Sequence, residues 1–289
     1  MNGIVIINKE KGVSSFGVVA TIRRIFNTRK VGHCGTLDPS ATGVLPIMIG
    51  NATKVSKYLV EHDKEYVATL KFGVKTSSGD SEGEIVCKDG FRLNADNEEI
   101  YRNRVHEFIG VQKQLPPMYS AIKVNGKKLY EYARAGKVIE REEREIEIYS
   151  INVESFNFCE NEMVFRVSCS KGTYIRSLCE SIAESFGTVG FMKDLVRTKV
   201  DNFSIEKSVK ISELESCLDI KKHVISVEDV FANWKKIFID EKERSLFLNG
   251  VKLSQNVNNG NYRVYCNIEF VGLGIVENRR LKRDVVIEK

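Results

Sequence analysis

Two adjacent segments with alternating polar and apolar residues constrain the fold of this 289-residue chain most strongly. Residues 145–158 and 163–169 both alternate, as strands with one buried face do, and the polar pair Glu160-Asn161 between them indicates a hairpin. Residues 66–72 alternate in the same way. Strands that follow one another without crossover helices are typical of antiparallel or mixed sheets. The sequence therefore predicts an α+β fold with a mixed, mostly antiparallel sheet flanked by helices.

Apolar residues at helical spacing predict two of the flanking helices. One follows a strand at residues 3–7: Ser14 or Ser15 can cap it, and the apolar residues between 18 and 26 fall on one stripe. The other covers residues 175–186 and ends at a glycine. Both helices would bury one face against the sheet.

Short strands separated by glycines predict a small β-rich terminal domain at residues 237–289. No flexible linker marks its start, because the preceding segment consists of short amphipathic pieces up to about residue 228. We therefore assign residues 1–228 to the main domain and residues 229–289 to the terminal domain.

Composition limits the class of protein. The chain is 42% hydrophobic and 29% charged, which is typical of a soluble globular protein, and no apolar run approaches the roughly 20 residues of a membrane helix. Seven scattered cysteines and four histidines without metal-ligand spacing predict neither a disulfide framework nor a zinc site. We therefore expect a cytoplasmic protein without a metal. The net charge of +5 permits a polyanionic partner.

A stiff loop is predicted at residues 35–46, where two glycines and two prolines restrict the backbone. Asp38 precedes Pro39, so its backbone is held extended. A carboxylate on a rigid support suits a nucleophile or a base. An ordinary Asp-Pro turn, with the aspartate as a local cap, is the alternative.

Tyr66 and Arg176 are two further candidates. Tyr66 opens a strand on its apolar face, as a core ring does, or as a ring at a cleft wall that stacks on a flat substrate. Arg176 lies in the first turn of a predicted helix, where a cation opposes the helix dipole by roughly several tenths of a kcal/mol. Asp38 could be its anionic partner, and the arginine would then lower the pKa of that carboxylate. A solvated arginine is the alternative.

Basic residues interleaved with tyrosines follow the Pro116-Pro117 dipeptide. This pattern is typical of a surface for phosphates and stacked bases. Several glutamates dilute the positive charge, so a solvated helix face is an alternative interpretation. A second basic run at residues 279–283 favours a long polyanion as partner.

The segment His33-Cys34-Gly35-Thr36-Leu37-Asp38-Pro39, continued to Pro46, closely resembles the aspartate-bearing motif of the bacterial tRNA pseudouridine-55 synthases, the TruB family. Four more segments agree with that family in order and spacing: residues 64–66, 116–126, 171–176 and 195–198. The resemblance covers roughly residues 1–205. It departs from the family at the opening motif, which reads Asn8-Lys9-Glu10 here in place of Asp-Lys-Pro.

The resemblance implies a pseudouridine synthase fold and a set of residue roles. Asp38 would be the nucleophile, Arg176 would pair with it, and Tyr66 would stack on the target uracil and assist proton transfer. His33 would support the opened RNA loop, and the pocket would be lined by Tyr174 and Leu195. Contacts to RNA are expected from six basic residues: Lys9, Lys123, Lys127, Lys128, Arg134 and Arg141.

The same resemblance implies that the chain isomerises uridine to pseudouridine at position 55 in the T-loop of tRNA. The target base would flip out of its stack, and Asp38 would attack either sugar C1′ or uracil C6. Residues 114–144 would be an RNA-contacting insertion, and residues 229–289 a PUA-like RNA-binding domain. We expect no cofactor, no membrane, no obligate protein partner and a monomer that binds the T-arm.

The sequence is compatible with two alternative functions. A non-catalytic RNA-binding or RNA-folding protein would need the basic surfaces but not Asp38, Tyr66 and Arg176. A sibling synthase guided by RNA and protein partners would keep the three residues.

Overall fold

A computed structural model describes residues 1–60 and 62–287, and a nine-stranded sheet forms the main body of the protein. Up to residue 204 the strands are β1 (Gly3–Lys9), β2 (Val31–His33), β3 (Thr42–Ile49), β4 (Lys64–Phe72), β5 (Val74–Thr76), β6 (Ile85–Lys88), β7 (Gly110–Gln114), β8 (Lys123–Val124), β9 (Lys127–Lys128), β10 (Arg144–Asn157), β11 (Glu162–Cys169), β12 (Gly190–Val200) and β13 (Phe203–Ser204).

The order of the large sheet is β1-β3-β12-β4-β11-β10-β7, with β2 paired to β3 and β13 to β12. Its pairings are antiparallel except for the parallel pairing of β12 with β3. Two small hairpins, β5-β6 and β8-β9, stand apart from it. The predicted mixed, mostly antiparallel sheet is confirmed.

The predicted hairpin is β10-β11, which pairs Asn157 with Glu162 next to the turn. Asn161 adopts a positive φ of 56°, which asparagine tolerates better than most residues. On β4, the alternating residues Tyr66, Ala68 and Leu70 are buried, as their pattern predicts.

The helices are α1 (Ser15–Ile25), α2 (Ser56–Leu59), α3 (Glu98–His106), α4 (Leu129–Arg134), α5 (Ile175–Ser185), α6 (Ile211–Glu215), α7 (Val227–Val230) and α8 (Glu241–Leu248). Short 3-10 turns cover Gly50–Val55, Ala95–Asn97, Ile205–Lys207 and Ile220–His223. Ser14 caps α1 by accepting from the Gly17 amide, which satisfies one of the free donors at the helix start. Both predicted helices are confirmed.

The terminal sheet contains β14 (Lys235–Ile239), β15 (Leu253–Ser254), β16 (Gly260–Cys266), β17 (Glu269–Glu277) and β18 (Arg280–Val286), in the order β14-β16-β17-β18-β15. Leu273 and Val285 of this sheet share a buried apolar cluster with Ile4 and Ile6 of β1. Asp284 accepts a hydrogen bond from the Tyr58 hydroxyl at 2.6 Å. The terminal sheet is therefore packed against the main domain, and α7 spans the boundary that we predict between residues 228 and 229.

Candidate active site

The candidate site is centred on an ion pair between two residues far apart in sequence. Asp38 lies in the loop that follows β2, and Arg176 lies in the first turn of α5. Their side chains meet with 3.1 Å between Arg176 Nη2 and Asp38 Oδ2. The arginine side chain is 5% exposed while the aspartate is 36% exposed, so the carboxylate remains reachable from solvent. The pairing proposed from the helix-dipole argument is present.

Three further groups hold the Arg176 guanidinium in place. Nη1 donates to the Ser78 carbonyl at 3.1 Å, and Nη2 donates to the Tyr119 carbonyl at 2.7 Å. The Asp80 carboxylate lies 3.7 Å from Nε and is itself buried. Asp80 accepts in turn from the Ser78 hydroxyl at 2.5 Å. A planar guanidinium bound on several sides has one orientation only, which fixes the direction from which it meets Asp38.

The pKa of Asp38 is subject to opposing influences. Burial raises the pKa of this carboxyl and is the largest influence; Arg176 lowers it, as we predict, and Asp80 raises it further. The net direction is upward, because the effect of burial was not part of our prediction. Removing a carboxylate from water outweighs a single nearby cation here. Arg176 therefore limits the rise that burial causes.

Lys9 has a structural role in place of the expected RNA contact. Its side chain is fully buried, and Nζ donates to the carbonyls of Val13 at 2.7 Å, Glu10 at 3.0 Å and Pro39 at 3.1 Å. Burial lowers its pKa to about 8, partly opposed by Asp38. The prediction that Lys9 binds RNA is wrong, because its ammonium faces inward and joins the end of β1 to the residue that follows Asp38.

A second set of contacts, from the start of α1 and the turn before it, anchors the same loop. The Ser15 hydroxyl donates to the Leu37 carbonyl and accepts from the Leu37 amide, both at 2.9 Å. The Gly12 amide donates to the Pro39 carbonyl at 2.8 Å. Asp38 thus lies between two residues whose backbones are bonded to the start of α1 and the turn before it.

Tyr66 lies on β4 and is 8% exposed. Arg197 is the residue paired with it on β12, and the Arg197 guanidinium is close enough to the Tyr66 hydroxyl to influence its pKa. Burial raises the pKa of the Tyr66 phenol, while Arg197 lowers it. Asp38 also influences this pKa through space, so the phenol and the carboxylate belong to one electrostatic neighbourhood.

The other three residues expected to bind the substrate, Tyr174, Leu195 and His33, take different positions. Tyr174 precedes α5 and is fixed through its backbone, since its amide donates to the Gln114 side chain at 2.8 Å. Leu195 is buried on β12 at 8% exposure. His33 is partly buried on β2, burial lowers its pKa, and its buried Nδ1 has no hydrogen-bond partner among the described residues.

The expected RNA-contacting bases lie around the β8-β9 hairpin and α4. Asn125 and Gly126 form its turn with positive φ angles of 50° and 80°, as a two-residue hairpin loop requires. Lys123, Lys127 and Arg134 are exposed, and Lys128 is half-buried. Arg141 differs, because its Nη1 donates to the Pro116 carbonyl at 2.8 Å.

Two site residues were not found by sequence reasoning: Asp80 and Arg197. Asp80 lies in a turn of serines and glycines that reads as an ordinary surface loop, so no local signal marks it. Arg197 did carry a signal, since it shares a strand face with buried Leu195. A charged residue on an apolar strand face indicates a buried polar network.

Within residues 1–60 and 62–287, no group of three or more histidine, cysteine, aspartate or glutamate side chains could hold a metal ion. Nor does any helix in these ranges have the length and apolar character needed to cross a membrane.

The chain was compared with known proteins. Residues 23–175 match the model for the TruB family pseudouridylate synthase, N terminal domain. The chain is 41% identical over 286 residues to a tRNA pseudouridine synthase B of Alkaliphilus oremlandii, covering 96% of this chain and 94% of that protein. It is 42% identical over 296 residues to a tRNA pseudouridine synthase B of Clostridium perfringens strain 13, covering 99% of each.

A solved structure of a Cbf5-Nop10-Gar1 complex contains a chain with the same fold, at a TM-score of 0.69 and 25% identity, covering 99% of this chain and 84% of that one. This likeness confirms the predicted pseudouridine synthase fold. The motif resemblance covers roughly residues 1–205, whereas the similarity to these relatives extends over nearly the whole chain and includes the terminal sheet. The family match and the near full-length relatives agree: this chain belongs to the TruB family of pseudouridylate synthases.

Proposed function

We propose that this protein isomerises uridine to pseudouridine at position 55 in the T-loop of tRNA. The observation that carries the proposal is the contact of Asp38 with Arg176 in a chain about as long as its tRNA pseudouridine synthase B relatives. A partly exposed carboxylate beside a fixed cation is suited to nucleophilic attack. A protein that only binds or folds RNA has no need of this pair.

The reaction moves the glycosidic bond from one atom of uracil to another. The bond between N1 and C1′ breaks, the base turns, and a bond forms between C5 and C1′; the proton on C5 leaves and N1 gains one. Atoms and electrons balance without a redox partner or group donor. Asp38 forms a covalent adduct during this sequence, at C1′ or at C6.

The surrounding residues serve the flipped nucleotide. Tyr66 stacks on the uracil, and Tyr174 and Leu195 line the pocket that receives it. His33 supports the RNA loop from which the base has left. Arg176 pairs with Asp38 and favours the ionised form of the carboxylate that attacks the nucleoside.

Residues 114–144 form the insertion that contacts the T-arm. Its exposed basic residues Lys123, Lys127 and Arg134 bind phosphates, and Lys128 lies beside them. Arg141 contributes the guanidinium nitrogens that do not bond to the Pro116 carbonyl. The terminal domain, residues 229–289, acts as a PUA-like RNA-binding module. The protein works in the cytoplasm as a monomer, without an obligate partner.

Pseudouridine mapping tests the proposal directly. The purified protein is incubated with a tRNA transcript and with a second transcript in which the T-loop uridine is replaced by cytidine. We expect pseudouridine at the T-loop position of the first and none in the second. Formation at another position, or only after addition of a guide RNA, would contradict the assignment in favour of a different synthase.

Lys9→Met separates its structural role from RNA binding. Three carbonyls lose their donor in the variant, so the free energy of unfolding is expected to fall by about 1–3 kcal/mol in urea titration. Affinity for tRNA should stay unchanged, because the ammonium does not reach the surface. Lys127→Met is the matched control and should show the reverse pattern. A loss of tRNA affinity with unchanged stability in Lys9→Met would show that Lys9 does contact RNA.

A further inference from the structure

Arg197 is a buried cation whose three hydrogen-bond acceptors are backbone carbonyls. Its side chain is 1% exposed. Nε donates to the Val44 carbonyl at 2.8 Å, Nη2 to the Gly35 carbonyl at 3.1 Å and Nη1 to the Thr36 carbonyl at 3.4 Å. The Tyr66 phenol lies beside the same guanidinium, since Tyr66 is paired with Arg197 across β4 and β12. Burying a guanidinium is costly, and an apolar side chain of similar volume is often as stable, so stability alone does not account for an arginine here.

The three acceptors and Tyr66 belong to the two elements that carry the site. Gly35 and Thr36 precede Asp38, and Val44 follows it on β3, so one guanidinium holds both ends of the loop that bears the carboxylate. Tyr66 belongs to β4, on the opposite side of β12. Arg197 is the link between the Asp38 loop and the aromatic ring.

The backbones of β3 and β12 are in close contact at Arg197. Arg197 pairs with Gly43 on one side and with Tyr66 on the other. A Cβ atom at Gly43 would lie 2.2 Å from the Arg197 carbonyl oxygen, a distance that no side chain can occupy. The arginine is therefore fixed at both its backbone and its guanidinium.

We propose that Arg197 is a positioning residue for the isomerisation, which holds the Asp38 loop and the Tyr66 ring at a set separation. The inference rests on the proposed function, since it presumes that both side chains act on one nucleotide. A guanidinium suits this task because its donors diverge in a rigid plane. A displacement of about 1 Å between reacting groups is enough to lower a rate about 100-fold.

The contact with Tyr66 also has a direction. A guanidinium can only donate hydrogen bonds, so the oxygen of the phenol is the group that it attracts. Tyr66→Phe removes this oxygen and leaves the three carbonyl contacts of Arg197 intact.

A double-mutant cycle tests the proposal. Wild type, Arg197→Met, Tyr66→Phe and the double variant are compared as full chains, with tritium release from C5 of uridine in a tRNA transcript measured under single-turnover conditions with enzyme in excess. Arg197→Met is expected to react about 100-fold more slowly while its tRNA affinity is unchanged. The double variant should be no slower than the slower single variant, to within about twofold.

Two further variants make the result decisive. Arg197→Lys keeps a charge but not the planar fork, and is expected to be at least about tenfold slower than wild type; it also serves if the methionine variant does not fold. Arg102→Met is the matched control, because Arg102 on α3 donates to the Val153 carbonyl and to Glu98, outside residues 114–144 and the terminal domain, and its single-turnover rate should equal that of wild type.

The outcomes separate the two proposals. If wild type releases no tritium, the proposed function fails. If wild type is active and the folded Arg197 variants match it, or if the losses in Arg197→Met and Tyr66→Phe multiply in the double variant, the positioning role is refuted and the proposed function stands.

Discussion

Asp38→Asn is expected to abolish pseudouridine formation while tRNA binding survives. The amide has the shape of the carboxylate but no negative charge, so it cannot attack carbon. We expect a loss of at least about 10⁴-fold in single-turnover rate, equivalent to about 5 kcal/mol in the activation free energy. Tritium release measures the rate, and filter binding of the tRNA measures the affinity.

The fold should tolerate this change, because the Asp38 side chain is 36% exposed and Arg176 keeps its other acceptors. Circular dichroism provides the control. Turnover at an undiminished rate in the asparagine variant would show that another group is the nucleophile.

Arg176→Ala is expected to cause the second-largest loss, about 10³-fold in single-turnover rate. In this variant the carboxylates of Asp38 and Asp80 lose the arginine that pairs with both of them. Because Arg176 lowers the pKa of Asp38 against the rise caused by burial, its removal raises that pKa further. The ionised fraction of Asp38 then falls at neutral pH, and the acid limb of the pH–rate profile moves to higher pH.

The matched comparison is Lys127→Ala, which removes an exposed base. It should weaken tRNA binding but leave the single-turnover rate at saturating enzyme close to that of wild type. Since Arg176→Ala removes a buried charge and could unfold the protein, Arg176→Lys is measured alongside it and should show an intermediate loss. Equal losses in Lys127→Ala and the folded Arg176 variants would mean that Arg176 serves binding alone.

Local pattern was sufficient to predict four strands of the large sheet, β1, β4, β10 and β11, and the two long helices α1 and α5. The alternation at residues 145–158 and 163–169 and the apolar stripes before and after it depend on neighbours in sequence, so they are visible in one chain. The partnership of Asp38 with Arg176 followed from two local irregularities, a rigid Asp-Pro loop and a cation at a helix start. Each is weak alone, and the resemblance to the TruB motifs gave them their roles.

What sequence reasoning missed depends on burial and long-range contact. Lys9 follows a strand and precedes a turn, as many exposed lysines do, and only the fold shows three carbonyls converging on it. The upward pKa of Asp38 reflects desolvation, which no pattern of charges reports. Asp80 pairs with Arg176, which lies nearly a hundred positions later in the sequence, and no residue near Asp80 indicates that contact.

The shared apolar cluster of the terminal sheet and β1 has a consequence for dissecting this protein. Ile4 and Ile6 of the first strand belong to the same buried apolar cluster as Leu273 and Val285 of the last two strands. A chain cut at residue 228 would therefore leave Ile4 and Ile6 without part of their apolar cluster. The same strand ends at Lys9, which anchors the Asp38 loop. The two halves are interdependent in folding, so loss of activity in such a fragment would report on the stability of the synthase as well as on recognition by the missing piece.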